Sequence, residues 1–259
     1  MKLVTFNIRC DFGQDGENCF CRRRDLIAAK IRREQPDIIC FQEVLPHVAV
    51  WLKENLKGYY VIGCGRDENL EDEQVSVAYR RDRVNLISMD TFWLSDEPYV
   101  PGSRYACHSI CPRVCTGAVF SYSGGPGKAY LFRLYNIHLD HMGGEARRLG
   151  LELILKRADR EPAFQNIPVI LAGDFNAEPD SPELAVLKSR REFTNVTEGI
   201  GVTYHGFEPE DMPERIDYIY AGAPFVCQSV EKWEDREGNV WLSDHYPICA
   251  VLEPGDCGE

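Results

Sequence analysis

The chain has 259 residues, 44% of them hydrophobic and 27% charged, the balance of a soluble globular protein long enough for a full core. A net charge of −12 argues against an architectural or processive binder of long nucleic acid, which needs a basic face. It leaves room for a small phosphoester or a short strand end.

In chain order, Val4, Phe6 and Ile8 alternate with Leu3, Thr5, Asn7 and Arg9, which predicts a strand over residues 2–9. A polar loop follows. Residues 22–34 read as a charged helix ending before Pro36, with Arg22-Arg23-Arg24, Lys30, Arg32 and Arg33 on a solvated face. Asp37 to Phe41 is a buried strand with Gln42-Glu43 at its exit, and Pro46 opens a second helix over 46–56. A strand is predicted at 59–63, a solvated acidic loop at 67–73, and short strands at 75–79, 84–87 and 91–94. The stretch 96–113 is a long irregular connection of the kind that often carries function, which keeps Arg104 and Arg113 in view.

Val114–Tyr122 and Tyr130–Leu139 predict a hairpin across Ser123-Gly124-Gly125-Pro126-Gly127. Its second arm puts Tyr130, Phe132, Leu134, Asn136 and His138 on one face. After Gly143-Gly144, Ala146, Leu149, Gly150, Leu153, Ile154 and Ala158 recur at helical spacing over 145–159. The apolar run Ile167–Ala172 has the length of a buried strand and passes through Gly173 to Asp174 and Asn176. Two residues is the repeat of an extended chain, so the acid and the amide point the same way if the strand persists. A short helix is expected at Pro182 with Ser181 as N-cap. Thr194 to Met212 is loop-rich, and strands at 216–220, 227–233 and 248–252 close the chain.

Leu3-Val4-Thr5-Phe6 reads as a strand where an export signal would stand, and no apolar run approaches the roughly 18 residues that cross a bilayer. Eleven cysteines are an odd count in a large chain, so reduced thiols, a cytoplasmic location and no membrane anchor are expected. Cys107, Cys111 and Cys115 recur every four residues beside His108, but the C-x2-C pairs of a zinc site are missing and Pro112 interrupts any helix that would align them. No repeat, linker or composition shift divides the sequence. A single domain over 1–259 is expected, of α+β class with mixed or antiparallel sheets.

Polar groups stand at the strand mouths. Asn7 and Arg9, Glu43, Asn136 and His138, and Asp174 and Asn176 follow apolar runs; Arg215-Ile216-Asp217 and Ser243-Asp244-His245 precede them. If the last two strands run antiparallel to the others, all six groups meet at one edge. Carboxylates crowded in a cleft repel one another, so a cation is expected. Oxygen ligands without thiolates select Mg²⁺ or Mn²⁺, which polarises a phosphoryl oxygen. A histidine paired with a carboxylate supplies a charged donor to the same oxygens.

Thr5-Phe6-Asn7-Ile8-Arg9, Gln42-Glu43-Val44, Asn136-Ile137-His138-Leu139-Asp140, Gly173-Asp174-Phe175-Asn176, Arg215-Ile216-Asp217-Tyr218-Ile219 and Ser243-Asp244-His245-Tyr246-Pro247 resemble, in order, the motifs of the endonuclease/exonuclease/phosphatase superfamily. The resemblance implies a deoxyribonuclease I-like, four-layer α/β/β/α sandwich of two mixed sheets with its site at one edge. It implies that Glu43 binds the metal with Asn7 near it, that Asp174 orients or deprotonates the attacking water, and that Asn176 positions phosphate or nucleophile. His138 stands where members place a phosphate-contacting His or Tyr. Asp217 and His245 match the pair whose imidazole contacts the scissile phosphate, with Asp244 beside it, and Arg9 and Arg113 are candidate phosphate contacts.

The expected activity is a Mg²⁺- or Mn²⁺-dependent phosphoesterase, foremost a phosphodiesterase or nuclease on short or single-stranded ends, with no obligate protein partner. A phosphomonoesterase or lipid head-group hydrolase is the alternative. A glycosidase would leave the histidine and asparagine set without a role. A non-catalytic binding module would be expected to lack a motif residue, and none is missing.

Overall fold

The computed structural model describes residues 1–125, 128–160, 166–208 and 213–255. Pro126-Gly127 of the expected hairpin turn, Met212 at the end of the expected loop and Cys257 lie outside the described residues.

The first half runs β1 (Lys2–Asn7), α1 (Phe20–Glu34), β2 (Ile38–Gln42), α2 (Pro46–Asn55), β3 (Tyr59–Ile62) and β4 (Val77–Arg80). Next come β5 (Val84–Trp93), β6 (Val114–Gly125), β7 (Lys128–His138) and α3 (Gly144–Arg160). The chain closes with β8 (Val169–Asp174), α4 (Ala185–Lys188), β9 (Phe193–Asn195), β10 (Asp217–Gly222), β11 (Phe225–Lys232), β12 (Arg236–Glu237), β13 (Val240–Trp241) and β14 (Ile248–Pro254).

Two six-stranded sheets carry the fold, ordered β11-β14-β1-β2-β4-β3 and β5-β6-β7-β8-β10-β9. Each is mixed. β1 and β2 are parallel in the first, β7 and β8 in the second, and β14 and β10 run antiparallel to their neighbours β1 and β8. Strand alternation sorts the side chains into layers. Leu3, Ile38, Val77, Phe120, Phe132, Leu134, Ile170 and Ile219 fill the space between the sheets. Val4, Phe6, Ile39 and Phe41 turn outward against Ile27 and Ile31 of α1 and Val48 and Leu52 of α2. Tyr135, Ile137, Leu171 and Tyr218 turn outward against Leu151, Ile154 and Leu155 of α3 and Leu187 of α4. The result is the expected α/β/β/α order of layers. No helix among the described residues is long and apolar enough to cross a membrane.

Several sequence readings change. The strands expected at 84–87 and 91–94 are one strand, β5, kept continuous by a bulge between Leu86 and Ser88 that lets it stay paired with β6. On α3 the buried stripe takes in Leu151 and Leu155, while Leu149 and Leu153 are only partly covered. Ser181 makes no capping hydrogen bond, and Pro182–Leu184 form a single 3₁₀ turn before α4. Arg23 is not on a solvated face: it is fully buried, donating to the carbonyls of Asn18 at 2.6 Å and of Ile8 and Leu242 at 2.8 Å. Nor are all thiols reduced. Cys19 and Cys21 are disulfide-bonded at the entry to α1, where one intervening residue leaves their Cα atoms 5.4 Å apart, while the other eight described cysteines are free.

Candidate active site

Strand direction gathers the polar mouths as the antiparallel expectation required. The parallel strands β1, β2, β7 and β8 end at one edge, and β14 and β10 begin there. The first sheet delivers Asn7, Glu43, Asp244 and His245; the second delivers His138, Asp174 and Asp217. They border a cleft of about 470 Å³ lined by Arg9, Glu43, Arg113, His138, Asp174, Asn176, Asp244 and His245 among others. Asn7 and Asp217 stand behind its wall, buried.

The backbone is strained where the cleft begins. Arg9, Glu43 and Asn176 adopt φ of 65°, 62° and 47°, the left-handed region that side chains disfavour. Gly173 supplies the approach that a side chain would block, since a Cβ there would lie 1.9 Å from the Ile137 carbonyl oxygen. Asn176 holds its turn by donating its backbone N–H to Asp174 Oδ1 at 2.8 Å and its side-chain amide to the Leu139 carbonyl at 3.0 Å.

Asn7 ties the sheets together. Its Nδ2 donates to Glu43 Oε1 at 2.9 Å and to Asp174 Oδ2 at 3.0 Å, and its Oδ1 accepts from the Arg9 N–H at 3.0 Å. Glu43 Oε2 accepts from the Cys10 N–H at 2.8 Å. Burial opposes the charge on Glu43, but the charged imidazole of His245 and these hydrogen bonds hold it below the usual carboxylate range. Asp174 goes the other way: burial and then the charge of Asp217 push it up to about 7. Asp244 is also raised, first by burial. Such crowding of acids is relieved by a cation, and Glu43, His138 and Asp174 bring potential ligand atoms within 4.8 Å of one another. Hard oxygen donors fit Mg²⁺ or Mn²⁺.

His245 Nδ1 meets Asp217 Oδ2 at 2.8 Å, and its Nε2 lies 3.9 Å from Asp174 Oδ2. Burial disfavours a charged ring, but Asp217, then Asp244 and Asp174, raise its pKa to about 10, so at neutral pH it is an imidazolium. Thr203 braces this pair: its Oγ1 accepts the N–H of Ile216 at 2.9 Å and of Asp217 at 3.1 Å, and its carbonyl accepts the Tyr246 N–H at 2.7 Å. Tyr204 lines the cleft with its ring 4.9 Å from that of His245. His205, next along the chain, turns inward instead and stacks on Tyr246 at 4.2 Å.

Arg9 reaches the cleft but is bound to Asp15 at 3.1 Å and Asp244 at 3.4 Å. Arg113 donates to His138 Nε2 at 3.0 Å and His141 Nδ1 at 2.7 Å. His138 is pushed well below its ordinary value, first by burial and then by Arg113. Two residues that the sequence singled out lie elsewhere. Asn136 turns between the sheets, bonded to Gln42 and to the carbonyls of Phe41 and Ser76, and Arg104 braces its own loop through the Ser109 carbonyl. Two others also belong to the cleft. Glu73, assigned to a solvated loop, is buried in the cleft wall and bonded to Arg66 at 2.8 Å, with burial and Glu43 pushing it up to about 7. His141, on the loop after β7, lines the same cleft. The run 67–73 offered no signal to separate Glu73 from its solvated neighbours. His141 carried one, lying three residues beyond His138.

The sequence profile described as the Endonuclease/Exonuclease/phosphatase family matches residues 4–245. Among solved structures, an endonuclease/exonuclease/phosphatase from Bacteroides vulgatus is 30% identical, with 98% of each chain covered and a TM-score of 0.89. A mannosyl-6-phosphatase from Bacteroides thetaiotaomicron is 26% identical, covering 98% of this chain and 99% of that one, with a TM-score of 0.85. An uncharacterized protein of Acanthamoeba polyphaga mimivirus is 29% identical over 186 residues, which is 69% of this chain and 68% of that protein.

Proposed function

The chain belongs to the endonuclease/exonuclease/phosphatase family, and on that footing we propose that it is a single-domain, divalent-metal-dependent phosphoesterase that hydrolyses its ester by direct attack of water on phosphorus. The observation that carries this reading is a set of acids, the half-buried Glu43 and the buried Asp174 and Asp244, facing the His245 imidazolium and the Arg9 and Arg113 guanidiniums across one cleft. An excess of acid suits a cation, and the opposing cationic groups suit a phosphoryl group.

In this reading Glu43 holds Mg²⁺ or Mn²⁺ and Asn7 fixes the Glu43 carboxylate. The ion, when bound, polarises the phosphoryl group and stabilises negative charge on it. Asp174 orients the attacking water and takes its proton, with Asn176 positioning water or phosphate beside it. His245, charged and aimed by Asp217, donates to a phosphoryl oxygen, and Asp244 keeps it in register with Arg9. Arg113 contacts the same group.

For the ester itself, the full-length likeness to a mannosyl-6-phosphatase favours a phosphomonoester of a small hydroxylated molecule. A phosphodiester at a short or single-stranded nucleic-acid end is the second reading, supported by an open cleft and limited by the net charge of −12. Assaying the purified protein on sugar phosphates, bis-aryl phosphodiesters and labelled oligonucleotides, with Mg²⁺, with Mn²⁺ and with chelator, tests both. No hydrolysis of any of them with either metal would overturn the proposal.

A further inference from the structure

Most charged groups on the cleft wall already have partners. Arg9 is paired with Asp15 and Asp244, Arg66 with Asp72 and Glu73, and Arg113 is bonded to His138 and His141. Tyr204 and Glu214 line the same cleft and differ. Among the described residues, no hydrogen bond or ion pair engages the Tyr204 hydroxyl or the Glu214 carboxylate. Neither side chain has a part in the phosphoryl chemistry proposed above.

The backbone holds both in place. Tyr204 and Glu214 exchange N–H to carbonyl hydrogen bonds at 2.9 and 3.0 Å, and Tyr204 is also bridged to His245. The two rings, Tyr204 and His245, stand 4.9 Å apart. Gly206 keeps room for the phenol: its φ is 58°, and a Cβ there would stand 3.2 Å from the Tyr204 hydroxyl oxygen. An aromatic ring, a free hydroxyl and a free carboxylate are thus fixed beside the imidazolium that would hold the phosphoryl group, within reach of whatever that group is attached to.

The chemistry of this wall is selective. A carboxylate only accepts hydrogen bonds and a phenol both donates and accepts, so together they suit neighbouring hydroxyl groups. An aromatic ring covers the C–H surface of a sugar or cyclitol. A second phosphate would meet the charge of Glu214, and Arg9 and Arg66, held by their own acids, are not free to offset it. Repulsion of the wrong ligand gives specificity as surely as attraction of the right one. We infer that Tyr204 and Glu214 form the leaving-group subsite of the cleft, taking an uncharged, polyhydroxylated group of sugar-ring size and turning away one that carries a second phosphate. The inference rests on the phosphoesterase reading of the cleft and supplies the residues that choose the alcohol half of the ester.

Binding tests it without turnover. Titration calorimetry of the full chain carrying Asp174→Asn, in saturating Mg²⁺, compares inorganic phosphate with glucose and mannose 6-phosphates and with glucose 1,6-bisphosphate. At least one hexose 6-phosphate should bind about tenfold more tightly than phosphate, the worth of one or two hydrogen bonds to a charged acceptor, and the bisphosphate more weakly than the monophosphates. Adding Glu214→Lys should reverse the order of bisphosphate and monophosphate, and adding Tyr204→Phe should weaken the hexose phosphates while sparing inorganic phosphate. In the enzyme with Asp174 intact, the ratio of kcat/KM for a hexose 6-phosphate to that for p-nitrophenyl phosphate should fall about tenfold in Glu214→Ala; a merely structural role would lower both together and leave the ratio unmoved. Hexose phosphates bound no better than phosphate, or an order of ligands indifferent to Glu214→Lys, would overturn the assignment. If the hexose phosphates bind with this dependence yet no ester is hydrolysed, the subsite stands and the activity reading falls. Hydrolysis of p-nitrophenyl phosphate combined with binding indifferent to Tyr204 and Glu214 gives the reverse.

Discussion

His245 and Asp217 come from opposite sheets, one just before β14 and the other at the first residue of β10, and their Nδ1–Oδ2 contact of 2.8 Å closes the gap between the sheets at the cleft. The pair therefore reports on both the charge state of the site and the alignment of the layers.

Because Asp217 is the chief group raising His245 to about 10, Asp217→Asn should lower that value by roughly 1–3 pH units. The imidazolium is fully formed below the ordinary value of about 6.5, and its contribution is lost as pH rises through the folded value. The alkaline limb of the pH–rate profile should therefore move to lower pH in Asp217→Asn, and stability should fall first on that side. An NMR titration of the ring together with the rate profile checks it. An alkaline limb that does not move would remove Asp217 from the mechanism.

Glu43 is held ionised against its burial by the His245 imidazolium, by Asn7 and by the Cys10 N–H. Glu43→Gln should weaken Mg²⁺ or Mn²⁺ binding at least about tenfold, with melting temperature in the absence of metal little changed. Isothermal titration with each ion is the measurement.

Asp174→Asn keeps the shape of the side chain and its hydrogen bond from the Asn176 N–H while removing the carboxylate proposed as the base. A loss of about 10²–10⁴ in kcat is expected, with KM little affected. Near-normal turnover would send the search for the base elsewhere in the cleft.

Thr203→Val removes an acceptor that serves the N–H groups of both Ile216 and Asp217. Each donor left buried without a partner costs about 1–3 kcal/mol, so thermal unfolding should show a clear loss. Thr203→Ser should retain both stability and rate. If the rate loss of Thr203→Val passes through the Asp217–His245 pair, it should vanish on an Asp217→Asn background.

With a net charge of −12, binding to long unmodified duplex DNA should be weak at physiological salt and depend on salt through only a few phosphates. A salt titration of fluorescence anisotropy measures this. Tight binding with a steep slope would reveal a basic surface that the composition conceals.

Much of the site was legible because its members end or begin apolar runs of strand length, and a strand mouth is a position that sequence can mark. The order of layers followed from the same alternation: Leu3 and Val4 fall in different cores, as their opposite facing requires. What escaped was decided by distant partners. Arg23 sits between two exposed arginines, and the carbonyls of Asn18, Ile8 and Leu242, the last two brought in from other segments, make its burial tolerable. Glu73 looked like one more acid in an acidic run until Arg66 and the cleft wall enclosed it. Asn136 shares a strand face with His138, yet the Gln42 amide of the other sheet draws it inward, leaving the cleft to its neighbour.

That inward amide has a consequence of its own. Gln42 Nε2 donates to Asn136 Oδ1 at 2.7 Å, and Asn7 reaches from the first sheet to Asp174 on the second at 3.0 Å, so the layers are pinned at two depths along the same edge. The cleft works like the jaws of a caliper whose opening is set by the thickness of the filling behind it. A bulkier side chain at Phe120 or Phe132, far from any reacting atom, would spread the jaws and part His245 from Asp217 while every cleft residue remained in place along its own strand.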